Sequence, residues 1–161
     1  MASGKTSLAR SLAKRCDRPF VDLDEIIEEA AGESAAAIIR TRGEIVFREL
    51  EYRALRSCPY GVIISGGGGS FISDDFRAYL KTAGIITVFL DLPWECLFRR
   101  AEAQDVDRPL WQSEDQARRL FESRIPFYRL ADYRLELSGD EAPDQIVDLL
   151  LQHLPELQCA T

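Results

Sequence analysis

The chain has 161 residues, 46% of them hydrophobic and 29% charged, which is enough apolar mass for one compact domain. A formal net charge of -7 excludes a broad basic face for nucleic acid or anionic membrane, so an anionic ligand has to be gripped by a local arginine cluster. With no apolar run of about 18 residues and no leader pattern, and with Cys16, Cys58, Cys96, Cys159 and the single His153 in no metal or disulfide spacing, the expectation is a cytoplasmic, monomeric protein that binds small molecules.

The chain opens on Met1-Ala2-Ser3-Gly4-Lys5-Thr6-Ser7, the second half of a phosphate-binding loop of the form G-x-x-x-x-G-K-[ST]. The first glycine of that motif and the strand that usually precedes it are absent from the sequence. Leu8, Ala9, Leu12 and Ala13 recur with helical spacing, which puts Gly4-Lys5-Thr6 at the N-terminus of a helix running to Arg15. There, unpaired amides and the helix dipole favour phosphate; Lys5 can neutralise β- and γ-phosphate charge, and the Thr6 hydroxyl can ligate Mg²⁺.

Pro19 to Asp24 reads as a short strand ending in Asp22 and Asp24, whose i, i+2 spacing would point both carboxylates to one face. At the C-terminal rim of a parallel sheet they could serve Mg²⁺ and a substrate hydroxyl; the alternative is that Asp24 merely caps a helix starting at Glu25. That helix extends to Arg42 with a break near Gly32-Glu33-Ser34. Gly43 resets the chain, and Glu44 to Arg56 forms another helix, on which Arg48 has Glu44 and Glu51 as helical partners and reads as solvated.

Tyr60 to Ser65 is a continuous β-branched run expected to be a strand buried on both faces. It ends in Gly66-Gly67-Gly68-Gly69-Ser70, where backbone amides can approach a ligand closely. A helix from Ser73 to Lys81 with Ser73 as its cap follows, then a buried strand from Gly84 to Leu90 and a helix opened by Pro93 that reaches Arg99-Arg100. The polar stretch 103–115, centred on Arg108-Pro109-Leu110, has the character of a lid that could bring an arginine over transferring phosphate, or of an ordinary surface loop. Helical signals at 114–122 and around Arg124 to Arg129, a strand at Tyr133 to Leu137 and a helix from Pro143 to Leu154 complete a three-layer α/β alternation.

The ordered motifs GKT, DLD, GEIVFRELE, GGGGSF, RPLW and RIPFYR together resemble the shikimate kinase family over nearly the whole chain. The resemblance implies a single P-loop kinase domain over 1–161, with a parallel sheet of five strands in the family, helices on both faces, a substrate-binding helical segment at 25–60 and a lid at 103–115. It implies transfer of the ATP γ-phosphoryl to the 3-hydroxyl of shikimate. In this chain Gly4, Lys5, Thr6 and Ser7 would bind the nucleotide, with Thr6 and Asp22 serving Mg²⁺ and Asp24 holding the reacting hydroxyl. Arg48 and Arg124 would grip the shikimate carboxylate, and Gly67, Gly68 and Gly69 would line the substrate. Arg108 would reach over the phosphates, and Arg100 would stack on adenine. Because the family places its first strand in the middle of the sheet, the sequence is read as a late start or a trimmed chain, at a large cost in core area. The rival readings are a kinase for another small acid or polyol such as gluconate, and a non-catalytic P-loop module.

Overall fold

The computed structural model describes residues 2–103, 113–154 and 157. Its elements alternate as the sequence suggests: α1 (Lys5–Arg15), β1 (Phe20–Asp22), α2 (Leu23–Ala31), α3 (Ala35–Arg42), α4 (Glu44–Ser57), β2 (Ile63–Ser65), a 3₁₀ turn (Ser70–Ile72), α5 (Asp74–Thr82), β3 (Val88–Asp91), α6 (Trp94–Glu102), α7 (Glu114–Tyr128), β4 (Tyr133–Glu136) and α8 (Pro143–His153). Helix ends follow local chemistry. Ser34, Ser73 and Ser113 accept backbone N–H bonds as caps of α3, α5 and α7, and Gly32 and Gly43 end α2 and α3 at φ of 69° and 88°.

The described strands form two separate parallel pairs, β1 with β2 and β3 with β4. No ladder joins β2 to β3, so among the described residues each has only one paired edge. The expectation of strands buried on both faces holds only in part: Ile63 and Ile64 of β2 are half-buried against opposite apolar clusters, while the N-terminal ends of both expected strands are exposed. Tyr60 is 94% exposed, Gly61 turns at φ 79°, and the strand shrinks to Ile63–Ser65. Ile86 and Val88 are likewise exposed, and β3 starts at Val88 rather than Gly84. A β-branched run is buried on both faces only where neighbours cover its edges as well as its faces.

Two apolar clusters hold the chain. One joins Leu8 and Leu12 of α1 to Leu90, Leu97, Leu135, Val147 and Leu150; the other joins α2, α3, α4 and α5 through Leu23, Ile27, Ile38, Phe47, Leu55 and Leu80. Consecutive residues of β2 divide between them, Ile63 packing on the first and Ile64 on the second. The two helical signals around 114–129 merge into the single helix α7, which carries Pro126 inside it. Phe121 of α7 packs on Trp94 at a centroid distance of 5.4 Å, and Tyr128 packs on Phe89 at 5.5 Å, so the helix is fixed at two points that flank Arg124.

Candidate active site

Gly4 caps α1 in the left-handed conformation, φ 81° and ψ 16°, a shape open to glycine at little cost, and Lys5 begins the helix. The first intrahelical bond runs from the Leu8 amide to the Gly4 carbonyl at 2.9 Å, so the amides of Lys5, Thr6 and Ser7 precede the ladder and are free of intrahelical partners. Burial lowers the Lys5 pKa from 10.5, against the opposing pull of Asp24, Asp22 and Glu51. The loop lysine thus lies in the field of three carboxylates drawn from β1, α2 and α4.

The strand register builds the next part. Pairing of Asp22 with Ser65 brings the C-terminal ends of β1 and β2 side by side, and α1 lays Thr6 over both. Thr6 Oγ1 donates to Asp22 Oδ2 at 3.0 Å and lies 3.1 Å from Ser65 Oγ. Asp22 is buried, and its other oxygen accepts the Asp24 amide at 3.0 Å, so Asp22 is the N-cap of α2. This corrects the reading of Asp22 and Asp24 as neighbours on one extended face: β1 ends at Asp22, and Asp24 lies in the first turn of the helix. It also corrects the alternative that Asp24 caps a helix from Glu25, since the cap lies two residues earlier.

Freed from capping, Asp24 has a buried Oδ1 with no hydrogen-bond partner among the described residues. Burial, then the charges of Glu51 and Asp22, raise its pKa from 3.8 to about 6, with Lys5 pulling the other way. A carboxylate so placed is mostly ionised at neutral pH yet basic enough to take a hydroxyl proton.

The third part joins α4, α7 and the glycine run. Arg48 donates from Nη2 and Nε to Glu44 Oε1 at 2.7 and 3.2 Å and from Nη1 to Glu51 Oε2. Arg124 donates from Nη2 to the same Glu44 oxygen at 3.2 Å, and its Nε is buried without a partner among the described residues. The two arginines expected to act together are therefore brought together by Glu44, which lies 80 residues from Arg124 in the chain. The helical partners of Arg48 are those expected, but Arg48 is 22% exposed rather than solvated, because Glu51, itself 1% exposed, draws it inward, and Ser70 Oγ donates to Glu51 at 2.5 Å.

Close packing explains the glycines. A Cβ on Gly67 would overlap Glu51 Oε1, one on Gly68 would come within 2.8 Å of Tyr128 Oη, and one on Gly69 would overlap the Arg48 guanidinium. None of these three needs a left-handed backbone, so approach of side chains rather than turn geometry demands glycine here. Gly66 differs, since its Cβ would meet only the flexible end of Leu23. Of the three glycines singled out from the sequence, Gly67 and Gly69 face Glu51 and Arg48, and Gly68 faces Tyr128.

Arg100 on α6 donates from Nη2 to the Gly139 carbonyl at 2.6 Å, at the loop between β4 and α8. Arg108 and the stretch 104–112 lie outside the described residues. Sequence reasoning missed Ser65, Glu44, Glu51, Ser70 and Tyr128 as parts of this site. Ser65 could have been found as the hydroxyl at the strand end before the glycines, and Glu51 from its place one helical turn after Arg48. Tyr128 is one turn from Arg124, but nothing local to the sequence marks it as facing Gly68.

The donor set at Thr6, Asp22 and Ser65 is all oxygen and includes one carboxylate, which suits a hard cation shared with phosphate oxygens. Among the described residues no cluster of three or more His, Cys, Asp or Glu could cage a metal by itself. None of the described helices is long and apolar enough to cross a membrane.

The family model described as shikimate kinase matches residues 1–155. A shikimate kinase of Synechococcus sp. (strain JA-3-3Ab) is 36% identical over 157 residues, covering 94% of this chain and 82% of the relative. The solved shikimate kinase from Acinetobacter baumannii, in complex with shikimate, superposes with a TM-score of 0.87 at 32% identity, over 97% of this chain and 89% of that one. A gluconokinase from Sinorhizobium meliloti 1021 has a TM-score of 0.58 at 16% identity, covering 98% of this chain and 88% of that one, which is a likeness of fold alone.

Proposed function

The chain belongs to the shikimate kinase family, and on that premise we propose that this site moves the γ-phosphoryl group of ATP to the 3-hydroxyl of shikimate. The observation that supports the reading most is the meeting of Arg48 and Arg124 against a glycine run, beside a carboxylate whose pKa is raised to about 6. A planar carboxylate matches two guanidinium forks, and holding it there sets the distance and angle of the hydroxyl that reacts.

The amides of Lys5, Thr6 and Ser7, together with Gly4, bind the ATP phosphates, and the Lys5 ammonium balances charge that grows on the transferring group. Thr6 and Asp22 would hold Mg²⁺, with Ser65 as an added oxygen donor. The metal, when bound, supplies charge neutralisation to the phosphate oxygens. Asp24 accepts the proton of the shikimate hydroxyl as its oxygen attacks phosphorus. The bond from the γ-phosphorus to the bridging oxygen breaks, and ADP leaves with the electron pair. Arg100 holds the β4–α8 loop by its Gly139 bond and serves the adenine side. Arg108 completes the phosphate contacts, a role that rests on its sequence motif. In this reading 25–60 is the substrate-binding segment of a single domain.

The test is a coupled ADP-release assay with shikimate and, separately, gluconate. Shikimate-dependent ADP release that is lost in Arg124→Ala is the expected result. Turnover of gluconate in place of shikimate would assign a different substrate, and no turnover of either would leave a non-catalytic module.

A further inference from the structure

Glu44 bridges the two arginines of the cluster, and the phosphoryl-transfer reading leaves it without a role. A single oxygen of its carboxylate accepts from Arg48 Nη2 at 2.7 Å, Arg48 Nε at 3.2 Å and Arg124 Nη2 at 3.2 Å. It therefore takes the side of Arg48 that presents two parallel N–H donors, and it bridges to the second arginine as a carboxylate ligand would.

Charge counting then limits what else can bind. In the free enzyme the cations Arg48 and Arg124 face the anions Glu44 and Glu51, so the cluster is balanced. A substrate carboxylate would make three anions on two cations and would compete with Glu44 for Arg48 Nη2, Arg48 Nε and Arg124 Nη2. Release of one carboxylate relieves that crowding, and the two candidates differ. Glu51 is 1% exposed, bonded to Ser70 and packed against Gly67, so moving it would strand a buried charge. Glu44 is 36% exposed and occupies the first turn of α4, where a carboxylate released to solvent is still favoured by the helix dipole.

We propose that Glu44 is a built-in stand-in for the substrate carboxylate: it bridges Arg48 and Arg124 in the free enzyme and is displaced into solvent when the substrate binds. The proposal rests on the reading that these arginines grip a carboxylic acid. Glu44 keeps the two guanidiniums aligned and discharged before binding, and it sets a threshold that only a ligand with its own carboxylate, able to replace three hydrogen bonds, can pass. It thereby trades affinity for selectivity.

The experiment compares the full chain with Glu44→Gln and Glu44→Ala. Shikimate and its methyl ester, which lacks the charge, are titrated calorimetrically, and kinetic constants come from the coupled assay. Both substitutions are expected to tighten shikimate binding and lower its KM by about two- to fivefold, the range of a partly exposed ion pair. Methyl ester binding is expected to gain nothing, so the preference for the acid rises. Unchanged or weaker shikimate binding in both variants, or an equal gain for the ester, overturns the displacement. If the substitutions prevent folding, a crystal structure of the unsubstituted chain with shikimate decides the matter: the Glu44–Arg124 contact is expected to be broken, and its persistence overturns the proposal. Failure of the unsubstituted chain to bind shikimate would instead remove the underlying reading of the arginine pair.

Discussion

Replacing Asp24 by Asn separates what this side chain does for the reaction from what it costs the fold. Its pKa rises from 3.8 to about 6 on folding, chiefly through burial. The sign follows from proton linkage: the folded state holds the proton more tightly, so the stabilising contribution is full below 3.8 and is lost as pH rises through about 6. At about 1.36 kcal/mol per pKa unit, the ionised carboxylate costs the fold about 3 kcal/mol near pH 8. Asn cannot ionise, so its own packing and hydrogen-bonding cost is the same at every pH. Between pH 4 and pH 8 the stability of Asp24→Asn relative to the unsubstituted chain is expected to rise by about 2 kcal/mol, because an ordinary carboxyl is already about half ionised at pH 4. For a chain of this size that corresponds to roughly 4–8 °C in melting temperature, readable by circular dichroism in matched buffers. Turnover in the same variant is expected to fall by at least about 100-fold, the usual minimum for loss of a positioned base. A melting difference that stays constant between the two pH values would refute the raised pKa. Near-normal turnover would remove Asp24 from proton transfer.

Further outcomes follow from the same geometry. The kcat/KM for shikimate is expected to fall on the acid side with an apparent pKa near 6, as Asp24 takes up its proton; a pH–rate profile flat down to pH 5 would contradict this. Gly69→Ala forces the Arg48 guanidinium away from the glycine run and is expected to raise KM for shikimate by about tenfold or more, the usual worth of a charge-assisted contact, whereas Gly66→Ala meets only Leu23 and is expected to change it little. Steady-state kinetics on the two variants make the comparison, and equal effects would count against the close approach. Glu51→Gln leaves Arg48 short of its buried partner and is expected to cost about 2–3 kcal/mol in urea unfolding. That is less than for a fully buried pair, because Arg48 is 22% exposed and keeps Glu44.

Under the proposed function, the arginine cluster is how this small acidic protein binds an acid. The net charge of -7 would repel anions at long range, yet the two guanidiniums are held by carboxylates that keep them in place. The shape of the site comes from glycines that let those side chains lie against the backbone.

The sequence alone determined the alternation of helices and strands, the helix that begins at Lys5 and the cap at Ser73, because apolar periodicity and capping residues are local signals. It also supplied the pairing of Arg48 with Glu44 and Glu51, which helical spacing dictates. Only the tertiary structure decided that β1 stops at Asp22, so that Asp22 caps α2 and Asp24 is released to ionise near pH 6. It alone set Ser65 beside Asp22 through the strand register, and joined Glu44 to Arg124 across 80 residues. Burial made the difference for Glu51 and for the exposed strands: a local pattern states which face is apolar, but whether anything covers that face depends on elements distant in the chain.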